Sequence, residues 1–178
     1  QQCDDWELII VDDGSTDDTK KIVQEFLEKD SRIRYVFQEN QERSAARNNG
    51  IKHANRDWIC FLDSDDVFFP NHLEILRQNI LANNKFFFFS TLRKSQPTTT
   101  IKNDFDFVLK ERIHCQQVCI KKSILLENTF NEKISNGEDL ELWFRIIKNG
   151  YKIYLINKES INIIEHLNRS VNLKNYFI

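Results

Sequence analysis

The sequence contains no methionine, two prolines and only four glycines in 178 residues. A chain so poor in proline and glycine is neither collagen-like nor low-complexity. No apolar run approaches the roughly 18 residues that a membrane-spanning helix needs. The greasiest stretch, Phe86-Phe87-Phe88-Phe89, has the length of a strand. An excess of one charge is also missing: 25 basic residues meet 27 acidic ones, a formal net charge of −2. Such a balance supplies no broad attraction for nucleic acid or for an anionic membrane. The cysteines (Cys3, Cys60, Cys115, Cys119) are few and scattered, which fits reduced thiols better than a disulfide framework. His114, Cys115 and Cys119 lie close together, but a fourth zinc ligand at the usual spacing is absent. With no methionine even at position 1, the chain is expected to begin inside a longer reading frame or to have been processed. No charged and apolar signal segment opens it.

Hydrophobic residues at 40% and charged residues at 29% suit a globular domain, and the length suits one α/β unit. Neither an internal repeat nor a linker is evident. Trp6 to Val11 is a near-continuous apolar run ending in Asp12-Asp13-Gly14-Ser15, the pattern of a strand buried on both faces. A helix should follow, capped by Ser15 or Thr16, with Ile22, Val23, Phe26 and Leu27 on one face. Strands are predicted at Ile33–Phe37, Trp58–Leu62 and Phe86–Phe89. Helices are predicted over Ser44–Ala54 and around Leu73, Ile75, Leu76 and Ile80, the latter opened by Pro70 and Asn71. Such alternation is the signature of a parallel, doubly wound sheet. The second half is less regular. Gln96 to Ile101 reads as a loop or edge strand, Gln116–Ile120 as a strand, Asp139–Lys148 as a helix and Lys152–Ile156 as a strand.

Open α/β sheets bind ligands beyond the carboxyl ends of their strands. Two acidic clusters fall there: Asp12-Asp13, and Asp63-Ser64-Asp65-Asp66 after Trp58–Leu62. Carboxylates packed this closely repel one another, and a hard divalent cation such as Mg²⁺ or Mn²⁺, completing its shell with water and substrate phosphate, relieves the repulsion. Each cluster alone also fits helix capping and solvated turns; the pair on one sheet favours a metal–phosphate site. A third element, Gly137-Glu138-Asp139, opens a helix on which Leu140, Phe144 and Ile147 share a face. An ionised aspartate there is favoured by the helix dipole and suits a general base; ordinary capping is the other reading.

Taken together, four segments resemble the family 2 glycosyltransferases of the GT-A fold, mostly bacterial enzymes of surface-polysaccharide synthesis. They are Trp6-Glu7-Leu8-Ile9-Ile10-Val11-Asp12-Asp13-Gly14-Ser15-Thr16-Asp17, Arg43-Ser44-Ala45-Ala46-Arg47-Asn48-Asn49-Gly50-Ile51, Phe61-Leu62-Asp63-Ser64-Asp65-Asp66 and Gly137-Glu138-Asp139-Leu140-Glu141-Leu142-Trp143-Phe144-Arg145. The resemblance implies an α/β fold with a Rossmann-like, mostly parallel sheet and helices on both faces. It also implies a single domain over residues 1–178. Residues 1–90 would form the nucleotide-binding half and residues 91–178 the acceptor-binding half. The implied reaction moves a sugar, with inversion, from a nucleotide-diphosphate sugar (a UDP-sugar first) to a hydroxyl of a saccharide or lipid-linked saccharide. Asp12 and Asp13 would contact the base and Arg47 would lie near the nucleotide. Asp63 would face the ribose and metal, and Asp65 would hold Mn²⁺ or Mg²⁺ in a DXD arrangement. Asp139 would be the base, and His166 is a further candidate near the diphosphate or metal.

Two features depart from that pattern. The family normally begins with a strand and helix upstream of Gln1, so an N-terminally truncated domain is expected, with an inactive remnant as the competing reading. The Gln-x-x-Arg-Trp motif of processive relatives is absent, which points to single-sugar transfer. A nucleotidyltransferase using the same acidic site is the other enzymatic alternative. The expected location is the cytoplasm, reaching at most the inner face of the membrane, with no nucleic-acid partner.

Overall fold

A computed structural model describes residues 1–86, 88–91, 108 and 112–162. The expected loop or edge strand at residues 96–101 lies outside them. The first half runs β1 (Leu8–Asp13), α1 (Thr19–Leu27), β2 (Ile33–Gln38), α2 (Glu42–His53), β3 (Trp58–Cys60), β4 (Val67–Phe68), α3 (His72–Ala82) and β5 (Phe88–Thr91). The second half runs from a short 3-10 helix at Cys115–Gln117 through β6 (Val118–Lys121), α4 (Lys122–Glu127), α5 (Glu138–Lys148) and β7 (Ile153–Ile156) to β8 (Ile161–Asn162).

Strands β1 and β2 pair in parallel, Leu8 beside Ile33 through Asp13 beside Gln38. A separate four-stranded sheet has the order β3-β6-β5-β7. Within it β5 and β7 are parallel, whereas β6 runs antiparallel to both β3 and β5. The small β4–β8 ribbon is antiparallel as well. Among the described residues, parallel pairing joins β1 to β2 and β5 to β7. Alternating apolar residues mark a strand but not its direction, so Val118 and Ile120 predict β6 equally well either way round.

The sheet's two faces carry two cores. Ile59, Val118, Ile120, Ile153 and Leu155 face α5 and α4 through Leu142, Trp143, Ile146, Ile147, Ile124 and Leu125. Trp58, Cys60, Cys119, Phe89 and Tyr154 face α3 through Ile75 and Leu76. Helices thus cover both faces of this sheet, as expected. Trp143 is fully buried at the centre, and its indole N–H donates to the Ile113 carbonyl at 3.0 Å.

The β1–β2 ribbon departs from expectation. Of β1 only Asp12 is buried, while Leu8 and Phe37 are exposed. On α1 only Val23 is buried, and Ile22 and Phe26 stand exposed. The ribbon packs on α2, where Gly50 meets Val11, and α1 lies against β2. The helix also starts later than its expected Ser15 or Thr16 cap. The Ser15 N–H is engaged by Asp12 Oδ1 at 2.8 Å, and Asp17 Oδ1 instead accepts from the Thr19 N–H at 3.0 Å.

Candidate active site

The turn after β1 is built by its two aspartates. Asp12 Oδ1 accepts from the Ser15 N–H and Oδ2 from the Tyr35 hydroxyl. Burial pushes the Asp12 carboxyl up, but the bonds from Tyr35 and Ser15 outweigh it and hold the group below its ordinary range. Asp13 Oδ1 accepts from the Gln38 amide at 2.7 Å and the Gln41 N–H at 2.9 Å. Gly14 makes the turn possible: its φ is +79°, and a Cβ there would stand 2.9 Å from the Asn40 nitrogen, a conformation and an approach that suit glycine alone.

Asp63 follows β3 and is held at both oxygens. Arg47 Nη2 donates to Oδ1 at 2.9 Å and the Gln116 amide to Oδ2 at 2.6 Å. Because β6 is antiparallel to β3, it starts at the end where β3 finishes, and this register brings Gln116 beside Asp63. Asp63, Asp65 and Asp66 each place a carboxylate oxygen within 4.8 Å of the others. Three hard oxygen donors fit Mg²⁺ or Mn²⁺ and suit a thiophilic metal poorly. Asp65 is half-buried, and both oxygens of Asp63 accept from protein donors.

From α2, Arg47 joins this cluster to the third acidic element. Its Nη1 lies 2.8 Å from Glu138 Oε1, and Arg43 stands 3.7 Å from the same oxygen. The guanidinium carbon is 5.5 Å from the centroid of the Phe130 ring. Burial disfavours the Arg47 charge, but Cys115, Asp63 and Glu138 overcompensate, so its pKa is raised. Gly137, with φ +76°, turns the chain into α5, whose first turn holds Glu138 and Asp139. Burial, and then the neighbouring Glu138, push Asp139 up to about 6. A carboxyl tuned near neutrality can both take and release a proton under working conditions.

The structure thus brings Arg47, Asp63 and Asp65 together with Glu138, the neighbour of Asp139. Asp12 and Asp13 lie at the end of β1, and Asp12 is committed to holding its turn. His166 lies outside the described residues. Gln116 and Asp66 join the site although the sequence assigns neither a role of its own. Asp66 had a signal in its own acidic run, whereas a single glutamine before a strand carries none. Among the described residues His114, Cys115 and Cys119 form no metal-capable cluster.

The model of the glycosyl transferase family 2 matches residues 1–149. The chain belongs to this family. It is 34% identical over 158 residues to an uncharacterized glycosyltransferase of Rickettsia bellii, covering 82% of this chain and 23% of that protein. It is also 34% identical over 152 residues to the UDP-Glc:alpha-D-GlcNAc-diphosphoundecaprenol beta-1,3-glucosyltransferase WfgD of Escherichia coli, covering 80% of this chain and 58% of WfgD. The chain therefore spans less than two thirds of the length of either relative. Among solved structures, S. aureus TarS 1-349 in complex with UDP superposes with a TM-score of 0.69 at 19% identity, covering 87% of this chain and 49% of that one. The mannosyltransferase PcManGT of Pyrobaculum calidifontis, in complex with GDP-Man and Mn²⁺, superposes with a TM-score of 0.64 at 20% identity, covering 93% and 49%. The family 2 chain has the GT-A fold. No helix among its described residues is long and apolar enough to cross a membrane.

Proposed function

We propose that this family 2 chain transfers a sugar from a nucleotide-diphosphate sugar, a UDP-sugar first, to a hydroxyl of a saccharide or lipid-linked saccharide in surface-glycan synthesis, with inversion. The observation that carries the reading is the Arg47 bridge, which joins Asp63 of the acidic cluster to Glu138, the neighbour of Asp139. WfgD's name specifies a UDP-Glc donor, and PcManGT's solved complex holds GDP-Man with Mn²⁺; both support the donor class. Residues 1–90 supply the donor side and residues 91–178 the acceptor side. The work takes place in the cytoplasm or against the inner face of its membrane.

Asp139 removes the proton from the acceptor hydroxyl as its oxygen attacks the anomeric carbon. The bond from that carbon to the diphosphate breaks, and its electron pair leaves with the diphosphate. One direct displacement inverts the anomeric centre, by the stereochemical logic of single displacement at a sugar. Asp65, with Asp63 and Asp66, would hold Mg²⁺ or Mn²⁺, which when bound offsets the charge developing on the leaving diphosphate. Arg47 orients Asp63 and keeps the donor and base sides in register. Asp12 and Asp13 shape the pocket wall for the base.

Titration calorimetry with UDP, in Mn²⁺ and in EDTA, tests the donor side. The expected result is binding that requires Mn²⁺ and disappears in Asp65→Asn, because an amide replaces a charged ligand poorly. Equal affinity with and without metal would overturn the metal assignment. The anomeric configuration of a transferred sugar, read by NMR, tests inversion; a retained configuration would overturn it.

A further inference from the structure

Cys60 and Cys119 are direct cross-strand partners in the antiparallel pair of β3 and β6. The Lys122 N–H donates to the Asp57 carbonyl at 2.7 Å, and residues 57 and 122 fall opposite each other in the same register. That pair is hydrogen-bonded. Antiparallel ladders alternate, so Trp58 opposite Lys121 is a non-hydrogen-bonded pair, Ile59 opposite Ile120 a hydrogen-bonded one, and Cys60 opposite Cys119 again non-hydrogen-bonded. Non-hydrogen-bonded partners have Cα atoms about 4.5 Å apart and the closer side chains. That separation lies within the range a disulfide spans. Both side chains point to the α3 face of the sheet.

We infer that Cys60 and Cys119 are a redox-active dithiol that a peroxide closes to a cross-strand disulfide. Cys60 is half-buried and Cys119 buried, so Cys60 is the less enclosed residue of the two. The surroundings divide the labour between the two sulfurs. A hydrogen bond from Cys119 draws the Cys60 thiol below its ordinary range, and His72 of α3 adds to the shift. The hydrogen bond to Cys60 and then burial push Cys119 up. The His72 ring is fixed by an Nδ1 contact to the Ser160 hydroxyl at 2.8 Å and by stacking on Phe68. Cys60, the thiol drawn down and the less buried residue, is the attacking cysteine and Cys119 the resolving one.

The chemistry balances with one peroxide. The Cys60 thiolate attacks one oxygen of H₂O₂; the O–O bond breaks, Cys60 becomes a sulfenic acid, and the departing hydroxide takes up a proton as water. Cys119 sulfur then attacks the sulfenic sulfur and gives up its proton, the S–O bond breaks, and a second water leaves. Two thiols are oxidised by two electrons and the peroxide is reduced by two. Zinc is a poorer reading of the same groups, since Cys60, Cys119 and His72 form no metal-capable cluster. Cys60 stands three residues before Asp63, and Cys119 three after Gln116, which donates to Asp63. The disulfide therefore staples the two strand ends that hold the acidic cluster; any effect of it on donor binding rests on the transferase reading.

The test is peptide mapping of the whole chain after limiting hydrogen peroxide, with thiols then alkylated. The expected result is loss of two of the four alkylatable thiols and a dithiothreitol-reversible cross-link joining Cys60 to Cys119. Cys115 shares a tryptic peptide with Cys119, so fragment ions assign the bond. Cys60→Ser should abolish the link, and Cys119→Ser should leave Cys60 as a sulfenic acid trapped by dimedone. Both variants are checked for folding by circular dichroism, and the unsubstituted chain decides the question if either unfolds. Four alkylated thiols after peroxide, or a link through Cys3 or Cys115, would overturn the inference. The mapping needs neither donor nor acceptor, so its failure and failure of the transferase reading are distinguishable.

Discussion

Arg47 Nη1 lies 2.8 Å from Glu138 Oε1, an ion pair in which Glu138 is almost wholly buried. Removing one partner of such a pair leaves an uncompensated charge in a dry site, and that costs more than the pair contributes when intact. Arg47→Met should destabilise the fold by about 3 kcal/mol, the low end of the usual 3–5 range, because Arg43 stands 3.7 Å from the same carboxylate. Urea unfolding measures it. A loss below about 1 kcal/mol, the ceiling for exposed pairs, would show that the Glu138 charge is stabilised without Arg47.

Asp139 should impose a pH profile. As a base it works ionised, so kcat/KM should fall as pH drops through about 6, where burial and Glu138 set its titration. Asp139→Asn should reduce turnover by roughly 10²–10⁴-fold and abolish that limb, with UDP affinity nearly unchanged. The stability effect runs the other way. A carboxyl raised in the folded state is protonated there while still ionised in the unfolded chain, so folding stability falls as pH rises from the ordinary carboxyl range through about 6. The asparagine variant should lack this dependence and be somewhat more stable than the parent at pH 7, as a pH series of melting temperatures would show.

Gln116 supports Asp63 Oδ2 at 2.6 Å. Gln116→Leu removes a hydrogen bond to a charged group, a loss of about 1.5–3 kcal/mol, or at least about tenfold in donor affinity if it is expressed there. Calorimetry with UDP and Mn²⁺ reads the change. Affinity within twofold of the parent would mean that Arg47 alone positions Asp63.

Gly14→Ala should damage the turn between the paired aspartates and α1. The left-handed backbone costs a residue with a Cβ about 1–2 kcal/mol, and the new atom would press on the Asn40 nitrogen. Denaturant unfolding should show at least that loss, together with weaker UDP binding, because Asp12 and Asp13 flank the displaced turn. Gly150→Ala is the control: its φ is also positive, but nothing lies within 4 Å of the added carbon, so it should lose stability without losing UDP affinity.

Much of this architecture is legible in the sequence, and the rest fails for identifiable reasons. The alternation of apolar runs and helical spacing places β2, α2, α3 and β7 within a few residues. It misjudges coverage on α1, where Phe26 has helical spacing yet stands exposed: periodicity reports a face but not what lies against it. On α5 the six apolar residues admit more than one stripe. Of the expected Leu140, Phe144 and Ile147, Ile147 is buried and the other two pack half-buried against the same core, whose centre is filled by Leu142, Trp143 and Ile146. The acidic clusters are legible because carboxylates crowded at strand ends demand a reason. Arg47 is legible through the family resemblance, which implies a place near the nucleotide. Its ion pairs to Asp63 and Glu138, like Gln116 beside Asp63, depend on long-range closure and strand direction, which local patterning does not encode.

The same α2 surface has a bearing on how the chain folds. Asn48, next to Arg47, exchanges two buried hydrogen bonds with the Phe130 backbone, its amide donating to the carbonyl at 3.0 Å and its oxygen accepting the N–H at 2.9 Å, across 82 residues of sequence. Arg47 reaches Glu138 across 91. Contacts of such separation form only after a large loss of chain entropy, so they raise the contact order and slow folding. They also leave the α2 side of the site no way to melt by itself. The Phe130 amide should exchange with solvent only through opening of the whole domain, at the free energy of global unfolding, while amides of the half-covered α1 exchange through cheaper local excursions.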